Sequence, residues 1–443
     1  MRTAPAPARL RGWRPDRWLV GVLGVALLLR VGIVLATPDH APWGDPADYD
    51  RLAATFALLG DWAPTQYAVP GSPTAFRAPA YPGLLAAVYE VVGLDERTRW
   101  AAGRLVGALL GTITVAIVWG IARRTWSDVW IARAAAGVTA VLPSLVWLNG
   151  GLVAETLFVP LVLAALLVTL IHRDRPDLRL AVLAGAIVGV AALTRTNGMS
   201  VILPVAIGLW SARRRPLAPV AAVAALVVVL IPWTVRNAQA LDRFLPLGTH
   251  NGYTMAGVWN AGSATRGDHF AHSWVPAEVP AYRDLFDPPH LNEAQLDRAL
   301  RSRALDFAWS NPGFVVEAAV LRGLRLFHLG QGHTFVAGLS ARETGVPDGW
   351  RWMIAPGVWI VVLGALAAVV LRIRRRITLG PWWLWLTPIL ILLSAAPLVG
   401  APRYRVPLDP FMAMLVGAAS VAVVAAVRAR RSPPAVPRGR AEG

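Results

Sequence analysis

Long apolar runs separated by short arginine-rich loops constrain the fold of this chain more than any other feature. Crossing a lipid bilayer takes about 20 apolar residues in a helix, and ten runs reach or approach that length. They are 18–36, 100–121, 129–148, 152–171, 179–194, 198–210, 217–234, 352–371, 381–399 and 405–427. The pattern predicts an all-α integral membrane protein, a helical bundle of about ten spans.

Composition supports this prediction. Of the 443 residues, 56% are hydrophobic and 16% are charged, whereas soluble domains carry about 25% charged residues. The 43 basic residues are all arginine and the net charge is +17. Because the arginines cluster in short loops between apolar runs, the charge indicates membrane orientation, and we predict no nucleic-acid partner. The chain contains no cysteine, which excludes disulfides and thiolate chemistry.

One shorter run, 81–94, has about 14 residues and contains Glu90, so it is short for a span. Its status decides the topology, because arginine-rich loops favour the cytoplasm. If 81–94 does not cross, all arginine clusters fall on one side: 2–17, 123–124, 173–179, 213–215, 372–376 and 428–431. We therefore predict a re-entrant or interfacial helix at 81–94, a retained signal-anchor helix at 18–36, and both termini in the cytoplasm.

This topology divides the chain into four segments. The outer stretch at 237–351 has a soluble-like composition, and within it 314–329 mixes apolar residues with arginines, as expected of a helix on the membrane surface. The segments are 1–236, an N-terminal membrane module with the first outer catalytic loop at 37–99; 237–351, an extracytoplasmic segment with interfacial helices; 352–427, the C-terminal spans; and 428–443, a disordered cytoplasmic tail.

The polar motifs of the chain collect on the predicted outer face. Residues 44–50 read GDPADYD, an acidic cluster that directly follows the first span. These acids either take part in catalysis or lie in a solvated loop, and Asp45, the aspartate before Pro46, also suits a helix N-terminus. Asp45 and Asp48 are three residues apart and could share Mg²⁺ or Mn²⁺, since hard oxygen ligands suit these cations. We predict no required cofactor, with this pair as the metal site if a divalent cation is used.

Two ionisable residues lie inside apolar runs, where they are costly and usually face a cavity or a partner. Glu155 lies about one turn inside a span, and either faces the site or reaches the interface as a surface acid. Arg30 lies deeper, as a structural arginine bonded to helix carbonyls or as a functional residue. An acid that faces several arginines suits transfer of a group from a phosphate. The carboxylate takes a proton from a hydroxyl, and guanidinium groups hold the phosphate.

An ordered set of motifs then carries a resemblance. It consists of Asp45 with Tyr49, Arg77-x-Pro79-x-Tyr81-Pro82, Arg104-Leu105, Glu155, Leu193-Thr194-Arg195, Pro232-Trp233-x-x-Arg236-Asn237 and Arg403-Tyr404-Arg405-x-Pro407. Together these motifs resemble the GT-C membrane glycosyltransferases that use polyprenyl-phosphate sugars. The most similar group is glycosyltransferase family 39, with the protein O-mannosyltransferases and the lipid A aminoarabinose transferase.

The resemblance implies inverting transfer of one sugar from a polyprenyl-phosphate donor on the extracytoplasmic side. It implies Asp45 as the catalytic aspartate, Glu155 as the second carboxylate, and Arg403, Arg405 and Arg236 on the donor phosphate. Two departures leave the acceptor open. Ala78-Pro79 stands where many members have two prolines, and Pro46 follows Asp45 where the mannosyltransferases have an Asp-Glu pair.

The expected site residues come from distant parts of the sequence, between Asp45 and Arg405. His250 is included as a possible sugar contact, whereas Asp268, His269 and His272 are interpreted as surface residues and not as metal ligands. We expect Asp45 and Glu155 to be catalytic. We expect the following to bind substrate: Asp48, Tyr49, Arg77, Tyr81, Arg104, Arg195, Arg236, His250, Arg403, Tyr404 and Arg405.

The sequence thus predicts a hexosyl- or pentosyltransferase in a bacterial inner membrane, with its active site outside. Its partners would be a polyprenyl-phosphate-linked sugar, membrane lipid, and an acceptor glycan, lipid or protein. Two alternatives remain open: a transporter or flippase of lipid-linked sugars, and a non-catalytic scaffold subunit. A transporter should show inverted repeats and polar sites near the membrane midplane, whereas here the polar motifs lie at one face.

Overall fold

The computed structural model describes residues 16–265, 276–330, 333–347 and 351–431, and these residues form helices and connecting loops without a β-strand. Most of the arginine cluster at 2–17, the residues Asp268, His269 and His272, and the predicted tail beyond 431 lie outside the described residues. The prediction of an all-α protein is confirmed for the described part of the chain.

The α-helices follow one another with short connections, several of which contain turns of 3₁₀-helix. In chain order they are α1 (Arg17–Ala36), α2 (Asp45–Leu59), α3 (Ala80–Val92), α4 (Glu96–Thr125), α5 (Val129–Val141), α6 (Pro143–Trp147), α7 (Glu155–Asp174), α8 (Leu178–Thr194), α9 (Ile202–Arg213), α10 (Leu217–Leu241), α11 (His250–Val258), α12 (Ala261–Thr265), α13 (Glu293–Ser310), α14 (Pro312–Leu326), α15 (His333–Glu343), α16 (Ile354–Ile373), α17 (Leu386–Ala395) and α18 (Asp409–Arg431).

Six helical segments are long and apolar enough to cross a membrane, and a bent pair formed by α5 and α6 would be a seventh. Shorter apolar helices include Leu178–Thr194, Thr196–Ala212 and Trp382–Ala395, which correspond to three further runs in the sequence. The protein is therefore a multi-pass membrane protein. The count of ten spans stays a prediction, because these three helices are shorter than a bilayer normally requires.

The outer surface of the bundle is apolar, as expected of helices that face lipid. Leu28 on α1, Val228 on α10 and Ile360 on α16 are 73%, 63% and 68% exposed. The interior is built with small residues that let helix backbones approach, a common device in membrane bundles. At Gly185 on α8, a Cβ atom would lie 1.9 Å from the carbonyl oxygen of Ala222, so α8 and α10 can pack this closely only with glycine there.

Helix α3 corresponds to the short run at 81–94, for which the charge pattern predicts a helix that does not cross the membrane. Its 13 residues rise about 20 Å at 1.5 Å per residue, which is less than the hydrocarbon thickness of about 30 Å. One face of α3 is buried, and Tyr81, Leu85 and Tyr89 pack with Tyr49 and Ala53 of α2. Helices α2 and α3 thus form one hairpin-like unit in the loop between α1 and α4.

The break between α5 and α6 explains the buried arginine of the first span. The two helices meet at an angle of 52°, because Pro143 has no N–H to continue the hydrogen bonds of α5. Arg30 donates from Nη1 to the Ala140 carbonyl at 3.0 Å and from Nη2 to the Thr139 carbonyl at 3.3 Å. These contacts support the interpretation of Arg30 as a structural arginine, since its guanidinium binds carbonyls near the break.

Helix α14 exposes apolar side chains and buries arginines, the reverse of the pattern in a water-soluble helix. Val316 and Val320 are 65% and 58% exposed, whereas Arg322 and Arg325 are buried. Arg322 donates to the carbonyls of Pro397 and Val258, at 3.1 and 3.0 Å. An exposed apolar face over a buried charged face suits a helix that rests against lipid, as the sequence predicted for 314–329.

Candidate active site

The first outer loop positions Asp45 at the start of helix α2. Gly44 is the N-cap residue and has a φ of +67°, a conformation that suits glycine, and Pro46 occupies the first turn. Asp45 is therefore the first helical residue and not the N-cap, and its carboxylate lies where the helix dipole favours negative charge. Because the capping role is filled by Gly44, the Asp45 side chain is free to bind other groups.

Arg77 joins two of the three acids of this loop. It donates from Nη2 to Asp45 Oδ1 at 2.6 Å and from Nε to Asp48 Oδ2 at 2.8 Å. The guanidinium also lies 5.3 Å from the centre of the Tyr49 ring, while Arg51 Nη2 donates to Asp48 Oδ1 at 3.0 Å. In this arrangement Asp45 and Asp48 both face arginine, so the pair does not fit a shared divalent cation without displacement of Arg77.

Arg403, from the turn before α18, is the centre of the cluster. Its Nη2 atom donates to Asp45, its Nε atom lies 3.2 Å from Glu155 Oε1, and its Nη1 atom lies 3.1 Å from Glu343 Oε2. The side chain is almost fully buried, at 2% exposure. One guanidinium thus faces three acidic side chains from distant parts of the chain.

Glu155 and Arg195 form the next pair in the cluster. Glu155 is the first residue of α7, is 1% exposed, and accepts a hydrogen bond from Arg195 Nη1. Arg195 directly follows α8. The Tyr404 ring lies 4.7 Å from the Arg195 guanidinium and 5.1 Å from that of Arg403, so this ring packs against both cations. Of the two alternatives for Glu155, the structure shows the buried acid that faces the cluster and not a surface acid at the interface.

Glu343 is a member of the cluster that the sequence did not indicate. It is the last residue of α15 and packs against Gly44, where a Cβ atom would lie 3.1 Å from Glu343 Oε1. In the sequence Arg342-Glu343 has the pattern of an ordinary surface ion pair within a long polar stretch. No local motif marks it, because its position depends on how the 237–351 segment folds back over the bundle.

The pKa values of Asp45 and Glu343, two acids of the cluster that lie outside the spans, are shifted in opposite directions. Burial alone would raise the pKa of Asp45, but the positive charges of Arg77 and Arg403 outweigh it and hold the pKa well below its usual range. Burial raises the pKa of Glu343 to about 8, opposed by the charge of Arg403 and reinforced by the carboxylates of Asp45 and Glu155. At neutral pH Asp45 is ionised, whereas Glu343 keeps its proton.

His250 lies beside the cluster among aromatic rings. Its Nε2 atom is 3.4 Å from the Thr196 hydroxyl, and its ring centre is 6.3 Å from that of Phe76. Tyr67 stacks on Phe76 with ring centres 3.7 Å apart, and Tyr253 meets Phe76 edge-on at 5.6 Å.

Burial, with the nearby charges of Arg77 and Arg195, lowers the pKa of His250 to about 4. The imidazole is therefore neutral near pH 7.

Several of the predicted binding residues have structural contacts away from Asp45. Arg104 Nη1 donates to the carbonyls of Thr37 and Gly150, at 2.8 and 3.2 Å. Arg236 Nη1 donates to the Thr74 carbonyl at 2.5 Å. Arg405 Nη1 donates to Asp409 Oδ1 at 2.6 Å. Tyr81 packs edge-on against Tyr49, with ring centres 5.2 Å apart. The structure places these side chains around the cluster.

A pocket that is partly open to its surroundings lies against the cluster. Arg403 and Arg405 form its cationic part, and most of the remaining wall is apolar. Ile354 at the start of α16, a candidate span, is part of that wall, so the cavity adjoins a membrane helix. The other lining residues are Ser144, Trp147, Leu148, His328, Ala337, Ser340, Ala341, Thr344, Pro402 and Val406.

The acidic side chains of the cluster have arginine partners and are not grouped as metal ligands. In the parts of the chain that the structure describes, no group of three or more histidine and acidic side chains is arranged to hold a metal ion. Glu155 and Glu343 both face Arg403. The charge partners of these carboxylates are guanidinium groups.

A protein-family model and several solved structures are similar to this chain. The sequence model of the dolichyl-phosphate-mannose-protein mannosyltransferases matches residues 77–235. The oligosaccharyltransferase of Archaeoglobus fulgidus, solved with zinc and sulfate, is similar over 93% of this chain and 50% of its own, with 14% identity and a TM-score of 0.56. The chain has the GT-C fold. The resemblance that the sequence motifs indicated is thereby confirmed.

Two further structures share similarity with this GT-C chain. The Archaeoglobus enzyme AglB in complex with an inhibitory peptide and a dolichol-phosphate is 13% identical, over 94% of this chain and 51% of its own, with a TM-score of 0.54. ArnT of Cupriavidus metallidurans, bound to undecaprenyl phosphate, is 19% identical over 96% and 82%, with a TM-score of 0.42. No curated protein matches the chain at a significant level. The chain spans about half the length of the oligosaccharyltransferase structures.

Proposed function

We propose that this GT-C protein is a membrane glycosyltransferase that moves one sugar from a polyprenyl-phosphate donor to an acceptor hydroxyl. The observation that carries the proposal is the cluster around Arg403, which contacts Asp45, Glu155 and Glu343 at once. A buried array of acids and arginines is expensive to maintain in a membrane protein and marks a functional site. The match to the dolichyl-phosphate-mannose family adds support for the class of donor.

Asp45 is the proposed general base. It is the least enclosed of the acids that Arg403 contacts, at 21% side-chain exposure against 15% for Glu343 and 1% for Glu155, so an acceptor hydroxyl can reach it. In the present state two arginines hold its pKa low, which makes it a weak base. An anionic donor phosphate would compete for Arg403, weaken the Asp45 ion pair and raise the basicity of Asp45. Donor binding before acceptor activation follows from this competition.

Arg403 is the proposed ligand of the donor phosphate. The cavity beside it combines two arginines with apolar walls next to α16, which suits a phosphate attached to an isoprenoid chain. A guanidinium binds phosphate oxygens bidentately and stabilises the charge that develops as the sugar–phosphate bond breaks. The structure of AglB with a dolichol-phosphate supports a lipid phosphate as the ligand of this fold.

The proposed transfer is a single displacement. The acceptor oxygen attacks the anomeric carbon while its proton passes to Asp45, and the bonding electrons of the glycosidic bond leave with the phosphate oxygen. The leaving group is already a weak base, so no acid need protonate it. One displacement inverts the anomeric configuration. Glu155 contacts Arg195 and Arg403 and would hold both cations on the phosphate.

We place this chemistry on the extracytoplasmic side of a bacterial inner membrane. Asp45 follows the end of α1, Glu155 begins α7, Arg195 follows α8 and Arg403 precedes α18. These helix ends meet in one cluster, which agrees with the alternation of spans predicted from the arginine loops. The proposed acceptor is the hydroxyl of a glycan, a lipid or a protein. The aromatic group of Tyr67, Phe76 and Tyr253 lies beside Arg77 and is the proposed contact surface for this acceptor.

A transfer assay tests the proposal. Membranes containing the wild-type chain or Asp45→Asn are given radiolabelled polyprenyl-phosphate sugars, and label in endogenous acceptors is measured. Loss of a general base lowers rates by about 100-fold or more, so we expect the variant to transfer almost no label. Asp39→Asn is the matched control, because Asp39 is 72% exposed in the same loop and pairs only with exposed Arg97 among its described contacts. Undiminished transfer by Asp45→Asn would refute the assignment.

A further inference from the structure

A second, smaller cavity lies inside the bundle behind Glu155. It is enclosed by α1, α4 and α7 and by the turn that contains Asn149, and it has room for about one water molecule. Three of its lining side chains are polar and almost completely buried: Arg30, Asn149 and Glu155 are each 1% exposed. Its remaining polar residues, Thr114 and Thr156, use their hydroxyls to bond backbone carbonyls.

Each of the three buried side chains has one polar atom left over after its protein contacts. Arg30 uses Nη1 and Nη2 on helix carbonyls, and Nε has no hydrogen-bond partner among the described residues. Glu155 uses Oε1 on Arg195 and Arg403, and Oε2 has none in the same part of the chain. Asn149 is fixed by donation from Nδ2 to the carbonyls of Leu145 and Val146, at 2.9 and 3.1 Å, which leaves Oδ1 unpartnered there.

These three atoms make a set of one donor and two acceptors. A buried polar group without a partner costs about 1 to 3 kcal/mol, so three in one cavity call for a common ligand. A water molecule accepts from one group and donates to two, and buried waters typically make about three hydrogen bonds. A cation does not suit the set, since it would lie against the guanidinium of Arg30.

Gly111 on α4 shows that two of the atoms are within reach of one water. An added Cβ atom at Gly111 would lie 2.6 Å from Arg30 Nε and 3.0 Å from Asn149 Oδ1. The two polar atoms are therefore separated by no more than the sum of these distances, which is the span of one bridging water. Glycine at this position keeps the space between them open.

We propose that this cavity binds one water molecule, which accepts a hydrogen bond from Arg30 Nε and donates to Asn149 Oδ1 and Glu155 Oε2. The proposal rests on the function given above for Glu155. Arg30 is then a positioning residue: through the water it fixes the Glu155 carboxylate, and Glu155 in turn holds Arg195 and Arg403 where the donor phosphate binds. The buried arginine of the first span thus has a second role besides the carbonyls of α5.

A high-resolution cryo-EM map of the full chain in a lipid nanodisc tests the water directly. We expect a density peak within about 3 Å of Arg30 Nε, Asn149 Oδ1 and Glu155 Oε2. A map that resolves other buried waters but shows no peak at this position overturns the proposal. This readout is independent of catalysis, so it decides the water site even if the wild-type chain transfers no sugar and the proposed function fails.

Two variants test the positioning role by different routes. Gly111→Ala places a methyl group where the water would lie and keeps all three polar side chains. Arg30→Lys keeps the charge and can still bind the carbonyls of α5, but it has a methylene group in place of Nε. A hydrogen bond to a charged group is worth about 1.5 kcal/mol or more, so we expect each variant to raise the donor KM about tenfold, with a smaller change in kcat.

The matched control is Gly107→Ala, one turn earlier on α4. A Cβ atom there would lie 3.4 Å from Thr156 and 3.7 Å from Asn149 Oδ1, which are ordinary contacts, and no Arg30 atom is nearer than these. We expect its donor KM to stay within about twofold of wild type. Wild-type KM values for both Gly111→Ala and Arg30→Lys overturn the positioning role. Thermal unfolding midpoints of all variants show whether each is folded, and Arg30→Lys alone decides if Gly111→Ala does not fold.

Discussion

At the scale of single residues, the charge balance around Arg403 controls the proposed chemistry. Three acidic side chains face this one guanidinium, and two of them also contact Arg77 or Arg195. Arginine fits this position because its planar fork can meet several oxygens at once, whereas a lysine ammonium acts as a point charge. A donor phosphate would enter this balance as a further anion and draw Arg403 away from Asp45.

Arg403→Lys should therefore lose transfer activity while it keeps a positive charge. Removing a donor that stabilises transition-state charge costs about 100-fold or more, and we expect kcat/KM for the donor to fall by at least that factor. The measurement is steady-state transfer in nanodiscs with a synthetic polyprenyl-phosphate sugar. Arg97→Lys is the control, since Arg97 is 79% exposed and should tolerate the change. Near-wild-type transfer by Arg403→Lys would contradict the role given to Arg403.

Glu343→Gln should change how stability depends on pH. Glu343 holds its proton up to a pKa of about 8 in the folded chain, against 4.5 for an ordinary glutamate. The folded state therefore binds more protons than the unfolded state between these values, and stability falls as pH rises through this window. A glutamine cannot ionise, so the variant should lose less stability than wild type from about pH 5 to about pH 8.

Thermal unfolding midpoints across that range measure the effect. Glu90→Gln is the matched control, because Glu90 is an exposed residue of α3. Equal pH dependence in wild type and Glu343→Gln would show that Glu343 is ionised in the folded chain.

The sequence predicted some members of the cluster better than others. Asp45, Glu155, Arg77, Arg195 and Arg403 were named from motifs, and the structure brings all five together, although their roles stay predictions. Motifs could find them because each lies near the end of a run whose position the apolar pattern defines. Glu343 could not be found in this way, since tertiary packing of α15 alone brings it to Gly44.

At the scale of elements, α14 shows how a helix can be interpreted from the face it exposes. Val316, Val320 and Leu324 recur every four residues on the exposed side, while the arginines are buried. Trp309, at the end of α13, is 81% exposed next to this face. Aromatic residues of this kind are enriched at membrane interfaces. The α14 face is thus expected to rest in the outer leaflet beside the bundle.

Site-directed labels can test the α14 face without background, because the chain has no cysteine. A spin label on Val320→Cys should be relaxed by oxygen, which concentrates in lipid, and little affected by a water-soluble nickel complex. A label on Asp306→Cys, an exposed residue of α13, should show the opposite order. Equal access of the nickel complex to both positions would place α14 in water.

The apolar pattern predicted most elements but not their interruptions. The long spans follow directly from run length, and α14 was expected at the membrane surface. The run at 129–148 was read as one span, whereas the structure breaks it at Pro143 into two helices at 52°. Proline alone does not fix such an angle, because membrane helices tolerate it when other groups satisfy the freed carbonyls. Here Arg30 supplies that partner from another helix.

At the scale of the whole molecule, the topology depends on the short helix α3. If α3 does not cross, the loop after α4 is cytoplasmic, together with the other arginine clusters. A reporter enzyme active only in the cytoplasm, fused after Arg124, should be active, and one active only outside should be silent. The reverse result would mean that the chain is inserted in the opposite orientation and that the cluster around Arg403 faces the cytoplasm. A crossing α3 would instead place Asp45 and Arg403 on opposite faces of the membrane, whereas they are hydrogen-bonded.

In the proposed mechanism, the cluster around Arg403 binds a lipid phosphate and thereby releases Asp45 for catalysis. A cryo-EM structure of the chain with polyprenyl phosphate would show both events. We predict the phosphate on Arg403, the isoprenoid chain in the cavity that Ile354 lines, and the Arg403–Asp45 hydrogen bond broken. A phosphate bound away from Arg403, or bound there with the Asp45 contact intact, would contradict the account.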